Sequence, residues 1–149
     1  MSFPLGALDV NAQQLDMRMS NSWTLRLHEI STPELCEVFA INTIAPSVLN
    51  AKLKSLMEGT QAPEGYRGRQ RSPWFKFVVN VSAMEGRFYR YKKDTHPHTN
   101  MAKAALNMQV RTSAQDFVKS HIYMTAVDTG WINDEKPLDR AAEHHKRHN

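Results

Sequence analysis

WFKFVVNVSAMEG, residues 74–86, is the stretch on which the fold turns. Its first nine residues, 74–82, are apolar and rich in aromatic and β-branched side chains, which suits a buried parallel strand. The run then breaks at Ala83, Met84, Glu85 and Gly86. What lies on either side decides the kind of sheet this strand joins.

Upstream stands STPELCEVFAINTIAPSVLNAKLKSLMEG, residues 31–59. Ser31 and Glu34 have capping-box spacing, or Thr32 caps with Pro33 at the first helical position. Leu35, Val38, Phe39, Ile41, Val48, Leu49, Leu53 and Leu56 recur mostly at intervals of three and four, and Gly59 is a stop. A helix follows from that period. Pro46 interrupts it, at a cost of roughly 3 kcal/mol in a regular helix, so a kink held by tertiary contacts is expected beside Asn42. Downstream comes a polar loop with two histidines. A helix follows over about residues 100–119, with Met101, Ala104, Ala105, Met108, Val110 and Phe117 on its apolar face. HIYMTAV, residues 121–127, reads as a second strand, and DTGWIND, residues 128–134, as the loop at its carboxyl end. Helix, strand, helix, strand predicts an α/β fold: a partial, doubly wound, Rossmann-like parallel sheet of few strands flanked by helices.

The remainder is less regular. Residues 1–31 read as an irregular lead-in with a strand-like piece near Trp23 to Leu27, residues 60–73 as an exposed basic loop, and residues 135–149 as a polar tail. At 149 residues, with 41% apolar content, the chain fits a single domain. A formal charge of +4 favours anionic partners without choosing among dinucleotides, phosphates and nucleic acid. A nucleic-acid role would rest on Arg67, Arg69 and Arg71 in one loop, and is disfavoured. The single cysteine, Cys36, excludes an internal disulfide framework and reads as a packing residue in a reducing compartment. No segment approaches the roughly eighteen apolar residues of a membrane span, so a soluble, cytoplasmic protein is expected. HPH and EHHKRH hold five of the seven histidines. They lack Cys or carboxylate partners at ligand spacing, so no metal site is expected.

Three signals in order, INTIAP with Asn42, the strand exit VVNVSAMEG, and the helix opening TNMAKAALNM, resemble the C-terminal half of a short-chain dehydrogenase/reductase. VDTGW is a weaker fourth, and the resemblance spans about residues 32–134. In that family an Asn in this helix holds a water of a proton relay, a Ser after the strand orients the carbonyl, and a Tyr exchanges the proton. A Lys four residues after the Tyr binds the nicotinamide ribose. Such a cation matters because a phenol of pKa about 10 is a poor base at neutral pH until its phenolate is stabilised. Carried over by position, Asn42 and Lys103 match, Thr99 stands at the Tyr, and Ala83 stands where the catalytic Ser would be, with Ser82 as its possible substitute. Lys103, Thr129, Gly130 and Ile132 fall at cofactor-binding positions, Thr129 and Gly130 replacing a Pro-Gly.

A threonine hydroxyl is shorter and far less acidic than a phenol, and losing a positioned acid or base forfeits about 10² to 10⁴ in rate. Tyr89 and Lys93 also have Tyr-x-x-x-Lys spacing, but in a loop. Imidazole as a side-chain class can exchange a proton near neutral pH, but His96 and His98 read as loop residues. No glycine-rich dinucleotide turn occurs in the sequence. The expectation is therefore a truncated, catalytically impaired relative, a pseudoenzyme whose standing as an enzyme is open. NAD or NADP is its cofactor only if a missing N-terminal half is supplied. The alternative is a non-catalytic interaction module, a homo-oligomer assembled through helices 33–58 and 100–119.

Overall fold

The computed structural model describes residues 2–9, 12, 14–65 and 74–130. Helix α1 (Thr32–Phe39) runs through a five-residue π-turn (Ala40–Ile44) into α2 (Ala45–Gly59). Strand β1 (Lys76–Ser82), helix α3 (Pro97–Phe117) and strand β2 (Ile122–Asp128) follow. The strands pair in parallel, Lys76 opposite Ile122 through Ser82 opposite Asp128, with α3 as the crossover. This is the expected α/β arrangement, reduced to two strands among the described residues.

The local signals work as their physics predicts. Ser31 caps α1, its hydroxyl accepting from the Glu34 N–H at 3.3 Å. The reciprocal half of the capping box is missing, because the Glu34 carboxylate turns instead to Ser22 and His98. The kink at Pro46 is the π-turn: the Ala45 N–H reaches back to the Ala40 carbonyl, one residue further than in an α-helix. That widened turn places Pro46 in the first turn of α2, where its missing N–H costs nothing.

The core lies between α3 and the sheet. Val110 and Phe117 of α3 pack with Ile122 and Met124 of β2, joined by Met57, Val78, Ala114 and Ala126. Ala102 and Leu106 are buried beside them. One face of β1 is not covered: Phe77 is 68% exposed, Val79 57% and Val81 55%, and Tyr123 of β2 stacks on Phe77 on that same face. The expectation of a strand buried on both faces is corrected here, since the described helices supply only one of the two layers.

Other expectations are corrected as well. The apolar stripe of residues 31–59 turns partly outward, and Cys36, read as packing, is exposed on α1. The piece near Trp23 is a turn followed by a single bridge, Arg26 opposite Thr95. Helix α3 begins three residues earlier than its apolar period indicates, because His96 takes a left-handed conformation (φ 47°) at its N-cap. The arginines at 67, 69 and 71, Ile132 and the histidines of the tail lie outside the described residues.

Candidate functional site

Helix α3 is aimed by its first turn. The His96 N–H donates to the Leu25 carbonyl at 2.7 Å, and the His96 ring packs edge-on against Trp23 with Nδ1 3.1 Å from the Trp23 carbonyl oxygen. Thr99 follows in that turn, half-buried, and Lys103 stands four residues on, so both occupy one side of the helix. The Lys103 ammonium donates to the Val81 carbonyl of β1 at 3.0 Å. Burial pushes its pKa below the ordinary lysine value, and the nearby Glu85 carboxylate opposes that shift.

Across from Lys103, Asn42 sits in the π-turn with Nδ2 donating to the Val38 carbonyl at 3.0 Å. Asn42 and Lys103 line one groove of about 370 Å³, walled by Leu49 and Leu53 of α2 and by Val79 and Val81 of β1. At its side Asn50 Nδ2 donates to Asn80 Oδ1 at 2.9 Å, the latter buried in the strand. Asn50 and Asn80 escaped the sequence reading. The signal was present: Asn80 and Ser82 alternate as polar residues within an apolar strand, which places both on one face.

Ser82 does not join this groove. It lines a separate cavity of about 290 Å³ together with Ala83, Arg87, Asn107, Arg111 and the end of β2. The structure therefore brings Asn42 and Lys103 together, keeps Thr99 on the same helix, and leaves Ser82, which shares a face with Asn80 but lies two residues further along β1, in the other cavity. Gly86 fixes the strand exit against α3: a Cβ there would lie 2.7 Å from the Lys103 carbonyl oxygen and 2.5 Å from Asn107 Nδ2. Thr129 and Gly130 lie exposed beyond β2, where the Gly130 N–H donates to Asp128 Oδ1 at 3.0 Å with a left-handed φ of 70°.

His98 is a correction. It is not a loop residue but lies fully buried in the first turn of α3, with Nε2 3.3 Å from Glu34 Oε1, which also accepts from the Ser22 hydroxyl at 2.6 Å. This cluster ties the lead-in, α1 and α3 together. Tyr89 and Lys93 do lie in a loop, and the Arg87 guanidinium, donating to the Tyr89 oxygen at 2.6 Å, lowers that phenol's pKa. Among the described residues, no three of His, Cys, Asp and Glu converge as a metal site, and no helix is long and apolar enough to cross a membrane. Chemically, the groove offers three amides, Asn42, Asn50 and Asn80, and a partly desolvated lysine, but no tyrosine among the described residues that line it.

Solved structures share this architecture. An oxidoreductase of the short-chain dehydrogenase/reductase family from Brucella ovis, in complex with a partially ordered NAD, matches 87% of the chain at TM-score 0.58 and 23% identity. The NADPH-bound carbonyl reductase of chicken fatty liver matches 79% at TM-score 0.56 and 20% identity, and a short-chain dehydrogenase of Streptomyces avermitilis matches 79% at 0.57 and 19%. The chain has the short-chain dehydrogenase fold. It spans only 51%, 49% and 38% of those three chains respectively, so this is part of a short-chain dehydrogenase architecture rather than all of it. An uncharacterized protein of Acanthamoeba polyphaga mimivirus is 31% identical over 100 residues, 67% of this chain and 19% of its own length. No family profile matches the chain.

Proposed function

We propose that the chain is a short-chain dehydrogenase/reductase-like unit with an impaired catalytic centre, whose use of NAD or NADP depends on a dinucleotide-binding half absent from these residues. The observation that carries this reading is Lys103: it shares a groove with Asn42, as the resemblance requires, while Thr99 occupies the position of the proton-donating phenol. Ser82, the remaining hydroxyl candidate, lines a different cavity. Two of the similar structures hold NAD and NADPH, which supports the cofactor class. Lys103 would meet the nicotinamide ribose, with Thr129, Gly130 and Ile132 alongside. The exposed face of Phe77, Val79 and Val81 and the glycine-poor sequence support the dependence on a second half, because a pyrophosphate needs backbone N–H groups at a glycine-rich turn. The lone cysteine fits a cytoplasmic setting.

Titration of this chain with NADH and NADPH, followed by nicotinamide fluorescence, tests it. Binding is expected to stay unsaturated into the millimolar range. Saturable micromolar binding by the chain alone would overturn the dependence on a second half.

A second reading is favoured by one observation: Leu49, Val48 and Leu56 of α2 and Met101 and Met108 of α3 are more than half or nearly half exposed, at 57%, 51%, 68%, 48% and 58%. Contiguous exposed apolar surface marks association sites. In this reading the helices form a non-catalytic homo-oligomer interface, and a strictly monomeric protein in sedimentation at several concentrations counts against it.

A further inference from the structure

The Lys76 N–H donates to the His121 carbonyl at 3.0 Å, with Lys76 in register with Ile122. Successive residues of a parallel strand turn their backbone groups to opposite edges, so Lys76, Val78, Asn80 and Ser82 face β2 while Phe77, Val79 and Val81 turn theirs away from it. The Lys103 ammonium, donating to the Val81 carbonyl at 3.0 Å, agrees with that direction. Among the described residues, no other hydrogen bond reaches the backbone of these three on that edge. The edge is thus a row of N–H and C=O groups repeating about every 6.6 Å. The groove of about 370 Å³ runs along it, with Leu49 and Leu53 of α2 facing Val79 and Val81 of β1 and Lys103 at the Val81 end. Phe77, Val79 and Val81 are each more than half exposed.

We propose that this edge docks an extended apolar strand of a partner polypeptide, running parallel to β1 beneath α2 with an oxygen at its carboxyl end on the Lys103 ammonium. An extended backbone repeats its donors and acceptors at the spacing of the edge, which neither a helix nor a compact ligand does. Parallel strands pack with both faces covered, and Leu49 and Leu53 cover one face of the incoming strand. An ammonium has three donors, so Lys103 serves Val81 and the newcomer together. A second copy of this chain does not fit. Two β1 strands would pair antiparallel about a two-fold axis and bring both α2 helices over one seam. Strands about 4.8 Å apart leave no room there for two helices each about 10 Å across. This chain spans 51% and 49% of the Brucella ovis and chicken structures, so chains of that fold hold segments beyond this stretch. That the strand belongs to the dinucleotide-binding half rests on the function proposed for the chain, whereas the pairing geometry does not.

The probe is a fluorescently labelled peptide copying residues 121–128, HIYMTAVD, the strand that already runs parallel to β1 and ends on Asp128. Titrated with the full chain and followed by anisotropy, it is expected to show saturable one-site binding. Binding should weaken about tenfold or more in Val79→Pro, which removes an edge N–H without touching the bonds to β2. Leu53→Glu, at a groove position 45% exposed, should weaken it similarly and keeps the test informative if the proline variant fails to fold. Lys52→Ala, on the exposed side of α2, should bind as the parent does. In hydrogen exchange the amides of Phe77, Val79 and Val81 should exchange faster than those of Val78 and Asn80, and slow when the peptide is added. Unsaturable binding, unchanged affinity in both groove variants, or equal protection of the five amides in the free chain overturns the docking edge. A dimer in sedimentation that is lost in Val79→Pro assigns the edge to a second copy and overturns the partner strand. No nicotinamide enters these measurements, so their failure is distinct from failure of the cofactor reading.

Discussion

Helices α2 and α3 lie against the same sheet and meet it with opposite materials. α3 turns Ala102, Leu106, Val110 and Phe117 inward and buries them. α2 turns Pro46, Ser47, Asn50, Lys54 and Met57 inward, buries none of its residues fully, and leaves Val48, Leu49, Leu53 and Leu56 largely exposed. Its polar contacts with the rest run from Ser47 Oγ to Gln109 at 2.7 Å, from Asn50 to Asn80 at 2.9 Å and from Lys54 to Asp116 at 3.5 Å. Hydrogen bonds of this kind contribute only about 0.5–1.5 kcal/mol each, whereas burying one large aliphatic side chain contributes about 1.5–3 kcal/mol. One helix therefore holds the fold while the other presents a surface.

The largest test of that contrast is a pair of truncations. Leu106→Ala, at a site 1% exposed, is expected to destabilise the chain by about 2–5 kcal/mol in chemical denaturation. Leu56→Ala, at 68% exposure, should change the stability of the monomer by less than about 0.5 kcal/mol, while weakening any self-association seen by sedimentation. Equal costs for the two would erase the distinction.

The polar side of α2 gives a smaller effect. Asn50→Ala leaves the buried Asn80 Oδ1 without its donor, beside an Asn80 Nδ2 that already lacks a partner, and should cost about 1–3 kcal/mol. Adding Asn80→Val should recover part of that loss, because no unsatisfied amide then remains. A double variant weaker than Asn50→Ala alone would show that Asn80 serves another contact.

The smallest effect concerns Lys103, which reaches β1 from α3. Burial lowers its pKa in the folded chain, so the unfolded chain binds that proton more readily. The resulting penalty is fully present below the folded pKa and is relieved as pH rises from there to the ordinary value of 10.5. Stability of the parent relative to Lys103→Met should therefore increase across that alkaline window. A difference that stays flat with pH would mean that the ammonium is fully hydrated.

Much of this was legible where the cause is local. Ser31 caps because its hydroxyl reaches an N–H three residues away, and Pro46 forces an irregular turn because it lacks a donor. The pairing of Asn42 with Lys103 was legible only through resemblance, since 61 positions separate them in the sequence. Glu34 shows the limit: its capping-box spacing is clear, yet its carboxylate bonds Ser22 and the buried His98, a partner 64 residues away. The second cavity was not legible at all, because Ser82, Arg87 and Arg111 belong to a strand, a loop and a helix that meet only in the fold.

By itself, then, the sequence determined the order of helices and strands, the kink and the absence of a glycine-rich turn. These depend on side-chain chemistry and near-neighbour geometry. Tertiary structure alone decided which way the apolar stripe of α2 points, which sheet face is covered, and that Ser82 and Lys103 line different cavities. Periodicity marks a face that gains from burial, but only the packing of distant elements shows whether anything is there to bury it.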